Sequence, residues 1–340
     1  MNLPVMPPFA PMEAETAREI PEGPEWQYEP KWDGFRCLLF RDGDEVELQS
    51  KAEQTLTRYF PELVEKIRSL KAEKLVLDSE IVVEVDGHLS FDDLLQRIHP
   101  AESRVRKLSK ERPAKLIVFD MLVDEKGRDL SGETLYVRRK ALEEFATKYF
   151  DHALLLSACT TDFGEAKGWL RSLGGDLDGI IAKRIDLSYA SGERKAMLKI
   201  KNLRTADCVV GGFRYGQSTN VVGSLLLGLY DDQGLLHHVG FTSTIPDKEE
   251  VTKKLESLIE PPGFTGRAPG GPSRWSRGRN TEWQPLAHKL VVEVQYDHFS
   301  AGRFRHGTKL LRWRPDKAPR QCLMSQVEKE SKAPLTLLTR

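Results

Sequence analysis

The 340-residue sequence predicts a two-domain α+β protein, and three observations carry that expectation. The length suffices for two domains, each with its own core. Helical and strand patterns alternate in the first part, whereas beyond about Arg204 short strands separated by turns dominate. Charge follows the same division. Residues 1–204 carry 32 basic and 37 acidic side chains and residues 205–340 carry 19 and 14, although the whole chain is balanced at 51 and 51. The boundary is expected within 202–206, giving domains 1–203 and 204–340.

Residues 1–25, rich in Pro and Glu, read as an extended lead-in. Residues 38–41 and 46–50 read as a hairpin turning at Asp42-Gly43-Asp44. Helical spacing over 60–70 is opened by Pro61. The apolar, β-branched run 75–85 reads as a strand ended by Asp86-Gly87. Residues 91–99 read as a short helix, 101–113 as a polar, mostly basic connector, and 115–123 as a buried strand. Helices are expected over 138–149 and 164–173, and strands over 177–183 and 197–201. After the boundary, strands over 208–213, 223–230, 235–241 and 289–296, interrupted by one helix over 247–259, suit a small β-barrel of the OB type. The Gly-, Pro- and Arg-rich stretch 261–283 is long for a loop inside a compact domain, which marks it as functional or disordered.

Cys37, Cys159, Cys208 and Cys322 are scattered, without Cys-x-x-Cys or zinc spacing. Cys37 and Cys208 lie in apolar runs and read as core thiols, a usage suited to a reducing cytoplasm. The N-terminus lacks the pattern of a signal peptide, and no apolar stretch approaches the ~20 residues of a membrane helix. A soluble, cytoplasmic protein is expected.

The most informative segment is Glu29-Pro30-Lys31-Trp32-Asp33-Gly34-Phe35-Arg36. Asp33-Gly34 favours a tight turn that fixes the Lys31 amine. Nearby cations, Lys199 and Lys201, together with a desolvated pocket would lower the Lys31 pKa and leave a nucleophilic amine. Such an amine beside a triphosphate points to covalent nucleotidyl transfer. Lys199 and Lys201 alternate along one strand face, where two ammonium groups repel unless an anion joins them. Glu80 sits between apolar β residues, where a carboxylate needs a partner. Residues 267–320 carry 12 basic and 4 acidic side chains, the signature of a surface facing a polyanion.

Six motifs, in order over residues 5–323, resemble those of ATP-dependent DNA ligases of the bacterial ligase C type, and of the ligase domain of ligase D. The resemblance implies a nucleotidyltransferase (adenylation, ATP-grasp-like) domain with antiparallel sheets, followed by an OB-fold barrel. It makes Lys31 the residue that takes AMP from ATP. Arg36 would contact the nucleotide sugar, Glu29 the adenine amino group, and Phe119 would stack on the base. Lys51 stands where the family usually has arginine, keeping the charge without the bidentate fork. Arg58 is an alternative there and a DNA-contact candidate. Glu80, in Asp78-Ser79-Glu80, resembles a ribose-contacting or metal-supporting glutamate. Asp178 replaces the family's metal-placing glutamate, with Asp176 nearby, and Lys183 closes the same motif. Lys199 and Lys201 would hold phosphate. Arg314, Asp316 and Lys317 match an element that orients pyrophosphate.

The implied cofactors are ATP and Mg²⁺ or Mn²⁺. The implied substrate is nicked double-stranded DNA, with Arg267, Arg274, Arg277, Arg279, Arg303 and Arg305 as phosphate contacts and Trp275 and Trp283 interleaved among them. A monomer in repair is implied, near the nucleoid, with a repair polymerase or primase or Ku as partner. The rival readings are an RNA ligase or mRNA-capping guanylyltransferase, and a non-catalytic DNA-binding module.

Overall fold

The apolar runs of the first half are strands buried on both faces. In the computed structural model, which describes residues 1–172, 177–217, 219–270, 282–328 and 337–338, Lys74–Val85 lies between Phe35–Asp42 and Ala114–Val123. Glu45–Ser50 and Leu154–Leu156 flank these strands. One face of this sheet, with Leu39, Leu77 and Val118, packs against Pro61–Arg68 and Leu135–Tyr149 through Leu63, Ile67, Leu142 and Phe145. The other face, with Phe40, Val76, Val82 and Ile117, packs toward a second sheet. Burial on both sides explains why these strands read as continuous apolar runs.

The second sheet is ordered Glu15–Ala17, Met197–Lys201, Gly179–Arg184, Trp26–Lys31. Only Glu15–Ala17 in this sheet, and Leu154–Leu156 in the first, pair in parallel. Trp26–Lys31 was not expected as a strand. Pro30 obscures it, and is tolerated because the strand is last in its sheet. The expected connector at 101–113 contains the helix Glu102–Glu111. Val105 is its one buried residue, so no apolar stripe marks it, while Glu102–Arg106 and Lys107–Glu111 pair along its exposed face.

Two compact units divide the chain: Met1–Asn202 with Ser331–Arg340, and Leu203–Glu330. The second is a meander of Arg204–Tyr215, Val222–Tyr230 and Leu236–Thr242, then the helix Lys248–Glu256. Val291–Tyr296 returns to pair with Arg204–Tyr215, and Lys309–Trp313 pairs with Val291–Tyr296. The sheet edges meet at one isolated parallel bridge, Thr242 with Thr308, where Thr242 Oγ1 donates to the Thr308 carbonyl at 2.9 Å. The expected barrel is therefore a curled sheet whose edges touch, without a full closing ladder. Cys208 and Cys322 lie in its core, as Cys37 lies in that of the first unit. Trp283 packs against the same core. Among the described residues no helix is long and apolar enough to cross a membrane.

Candidate active site

Strand register brings the conspicuous residues together. Lys31 is opposite Gly179, which is opposite Lys201; Glu29 is opposite Ile181, which is opposite Lys199; Gln27 is opposite Lys183. Directly opposed residues, and those two apart, share a sheet face. Gln27, Glu29, Lys31, Lys183, Lys199 and Lys201 therefore project from one face. Gly179, at φ +146°, leaves this row open: a Cβ there would lie 2.0 Å from the Ile200 carbonyl oxygen. The first sheet supplies Arg36 and Glu80, which are paired across its strands.

These side chains line a cavity of about 290 Å³ in the first unit. Ten residues singled out in the sequence border it: Glu29, Lys31, Arg36, Lys51, Glu80, Phe119, Asp178, Lys183, Lys199 and Lys201. Arg58 does not. Its guanidinium donates to the Pro100 carbonyl at 2.8 Å, and it lines a separate groove with Arg68 and Arg106. Arg314 and Lys317 belong to the second unit, where both bond Asp207, at 2.9 and 2.6 Å, and Arg314 also bonds Asp316 at 2.8 Å. Arg303 lies exposed on the short strand Arg303–Phe304 of that unit. Arg274, Trp275, Arg277, Arg279 and Asp176 lie outside the described residues.

Two expectations about Lys31 are corrected. Gly34 lies at a bend rather than in the tight turn expected, and it is a point of close approach: a Cβ would sit 2.2 Å from the Ile81 carbonyl oxygen. The amine is also not depressed. Burial alone would lower it, but Asp178, which accepts a hydrogen bond from Lys31 Nζ, outweighs burial together with Glu80 and Asp33. Lys31 is held above the ordinary lysine value. Lys199 is the depressed lysine, through burial first and then Lys51, Lys31, Lys201 and Arg194. Lys31, Lys51, Lys199 and Lys201 line the same cavity, a concentration of positive charge suited to a polyanion.

Desolvation pushes Glu80 up to about 8, although Lys31 and Arg36 pull it down. Asp178 and Glu80 both act on Lys31 and border the same cavity. Hard cations such as Mg²⁺ bind through one or two carboxylates plus substrate phosphates, so this donor set fits one.

Glu29, Lys183 and Phe119 are held together by short contacts. Glu29 is 2 % exposed. Gln27 donates to its Oε1 and Lys183 to its Oε2, each at 2.8 Å. Phe119 has the Arg36 guanidinium 4.7 Å and the Lys183 ammonium 4.6 Å from its ring centre. Lys51 reaches Glu13 at 3.3 Å and is exposed.

Sequence reading missed the residues that hold these groups. Asp78 grips Arg36 through both carboxylate oxygens, and the Tyr189 hydroxyl donates to it at 2.6 Å. Trp32 donates to Ser157 Oγ at 2.9 Å, fixing the backbone beside Lys31. Asp78 had a signal, since it is two residues from Glu80 on one strand. Gln27 and Tyr189 had none.

The family model for the ATP dependent DNA ligase domain matches residues 11–201, and that for the ATP dependent DNA ligase C terminal region matches 218–317. DNA ligase C of Mycobacterium tuberculosis is 42 % identical over 358 residues, covering 99 % of this chain and 97 % of that protein. DNA ligase C2 of Mycolicibacterium smegmatis is 42 % identical over 348 residues, covering 96 % of each. A solved Lig E DNA ligase structure superposes with a TM-score of 0.55 at 15 % identity, over 90 % of this chain and 99 % of that one, which speaks to fold alone. A lysine-rich cavity between two sheets, followed by a curled six-stranded sheet and matched by both models in order, identifies the chain as a member of the ATP-dependent DNA ligase family.

Proposed function

We propose that this chain seals nicks bearing 3′-hydroxyl and 5′-phosphate ends in duplex DNA, using ATP and a lysyl-AMP intermediate on Lys31. The observation that carries the reading is that Lys31, Lys51, Lys199 and Lys201 line one cavity together with Glu29, Phe119 and Lys183. A nucleotide laid along it would have its base at Phe119 and Glu29, its sugar near Arg36, and its phosphates among Lys51, Lys199 and Lys201. Nitrogen attack on the α-phosphorus forms the N–P bond and expels pyrophosphate. The 5′-phosphate of the nick then displaces Lys31 from the adenylate. Finally the 3′-hydroxyl attacks the activated phosphate and releases AMP. Each step is a displacement at phosphorus, in which the protein positions groups and neutralises charge. Asp178 and Glu80 would hold Mg²⁺ or Mn²⁺, which supplies further charge neutralisation when bound.

Arg314 and Lys317 are proposed to orient pyrophosphate, which requires them to exchange Asp207 for the leaving group. Arg303 and Arg305 are proposed DNA phosphate contacts, with Arg58 a further one. Repair in the cytoplasm, by a monomer at the nucleoid with a polymerase, primase or Ku partner, is the reading we favour.

Incubation with α-labelled ATP and Mg²⁺ tests the chemistry. Label should survive denaturation, be acid-labile, and pass to nicked DNA on a chase. Transfer only to RNA ends, or a preference for GTP, would favour an RNA ligase or capping enzyme. No label, after pyrophosphate has stripped bound AMP, would leave a DNA-binding module.

The state of Lys31 has a pH consequence. Only the neutral amine attacks, and Lys31 is held above its ordinary value, so lysyl-AMP formation should accelerate as pH rises through the neutral and mildly alkaline range. Asp178→Asn removes the chief group raising Lys31. Its profile should shift to lower pH even as its maximal rate falls. A pH profile unmoved by the substitution would show that Asp178 does not set the protonation of Lys31.

A further inference from the structure

The proline-rich lead-in supplies one wall of the nucleotide cavity, which Pro11, Met12, Glu13 and Ala14 all border. Contacts on both sides hold this segment in place. The buried Gln49 amide bonds the Phe9 N–H and carbonyl, at 2.9 and 2.7 Å. Ser191 Oγ donates to the Ala10 carbonyl at 2.7 Å, Met12 forms an antiparallel bridge with Ser191, and the Glu13 N–H donates to the Glu193 carbonyl at 2.9 Å. Just beyond, Glu15–Ala17 runs parallel to Met197–Lys201. Glu13 and Arg194 therefore stand just before two neighbouring strands, the second of which carries Lys199 and Lys201.

Glu13 is the charged member of this wall. Its Oε2 accepts from Arg194 Nε at 3.0 Å, and lies 2.9 Å from Arg194 Nη2 and 3.3 Å from Lys51 Nζ. One carboxylate oxygen thus joins two cations from distant parts of the chain. Exposure rises along the lysines, from 23 % for the Lys31 side chain to 57 % for that of Lys51. On the ligase reading, a triphosphate whose α-phosphorus faces Lys31 carries its β- and γ-phosphates outward, toward Lys51 and Arg194. Two neighbouring cations repel unless an anion joins them. Before ATP binds, Glu13 is that anion; afterwards the outer phosphates are. The two anions compete for the same donors, and a displaced carboxylate in the cavity wall repels the phosphates. The ion pairs are partly open to solvent and therefore weak, so the exchange tunes affinity without blocking the site.

We propose that Glu13 is a specificity-determining residue for the polyphosphate: it holds Lys51 and Arg194 before ATP binds and gives them up to the β- and γ-phosphates, so that it loosens ATP and its pyrophosphate product and leaves AMP untouched. The inference deepens the ligase reading and rests on it. Loose pyrophosphate favours the forward direction. On its return, a pyrophosphate oxygen bonds the α-phosphorus, the Lys31 N–P bond breaks, and ATP and the free amine are regenerated.

The test uses the full chain and two single-turnover measurements, formation of lysyl-AMP from ATP and its reversal by pyrophosphate. Glu13→Gln keeps the shape and removes the charge. It should lower the half-saturating concentrations of both ATP and pyrophosphate by roughly threefold to fivefold, and leave inhibition by free AMP unchanged. The gain should shrink as salt is raised. Adding Arg194→Gln to Glu13→Gln should abolish most of it, because the freed guanidinium is then absent. A residue that merely ties the lead-in in place gives the opposite sign: its loss would weaken ATP, pyrophosphate and AMP together. Thermal melting separates misfolding from a changed site. If Glu13→Gln fails to fold, Glu13→Asp, which draws the carboxylate back by one methylene, should show a smaller gain of the same sign. Unchanged or weaker pyrophosphate binding in a well-folded variant would overturn the proposal, as would an equal gain for AMP. A wild type that takes no label from ATP would overturn the ligase reading itself, an outcome distinct from a labelled wild type whose affinities Glu13→Gln leaves as they were.

Discussion

Lys31→Ala is expected to leave no AMP attached to the protein after incubation with ATP, a loss of at least about 10³-fold in the first step, or about 4 kcal/mol in barrier. Truncation removes the lysine amine that donates to Asp178 and is acted on by Glu80. Two controls separate chemistry from architecture. Lys31→Arg keeps a cation for Asp178 and should preserve folding, yet it should be equally silent, because a guanidinium does not deprotonate in proteins. Lys199→Ala removes a neighbouring cation and should weaken ATP binding while still allowing slow labelling. Sealing of a DNA nick supplied already carrying 5′-adenylate gives the sharpest contrast. Its last step needs no lysine nucleophile, so Lys31→Ala should retain much of it. If Lys31→Ala still accepts label, another residue is the nucleophile and the assignment fails.

Much of the cavity was legible in sequence because it is built from short motifs on strands. Alternation put Lys199 and Lys201 on one face, and a carboxylate amid apolar β residues marked Glu80. What sequence could not show was the sign of the interaction at Lys31. The same neighbourhood contains cations that lower a lysine and carboxylates that raise it, and only register decides which are closer. Lys31 opposite Gly179 brings Asp178, one residue earlier, to the amine. The supporting residues were hidden for a related reason. Asp78 and Tyr189 meet across 111 residues of chain, and Lys183 and Glu29 across 154. The strand Trp26–Lys31 was obscured by its proline, and the helix Glu102–Glu111 by its lack of an apolar stripe. In the second unit, cations expected to be open were partly neutralised: nothing local to Arg314 and Lys317 announces Asp207.

Asp78→Ala carries the largest expected stability effect. Asp78 is fully buried, and its two oxygens hold the Arg36 guanidinium and accept from Tyr189. The Tyr189 hydroxyl in turn accepts from the Met12 N–H at 2.9 Å, and Arg36 donates to the Met12 carbonyl at 3.4 Å. The ring of contacts Arg36–Asp78–Tyr189–Met12 thus ties the segment bordering the cavity to the residue assigned to the nucleotide sugar. Removing the carboxylate strands a half-buried guanidinium and a buried hydroxyl together. Breaking one member of such a pair costs about 3–5 kcal/mol, whereas replacing both charges with apolar groups of similar size is often neutral. Unfolding of Asp78→Ala should therefore occur at clearly lower denaturant, and Arg36→Met with Asp78→Leu should recover most of the loss. ATP affinity should behave differently, falling in the single variant and staying low in the double one, because Arg36 is then absent. Recovery of stability without recovery of binding would separate the structural duty of the ion pair from its duty to the nucleotide. Recovery of both would mean that Arg36 never touches ATP.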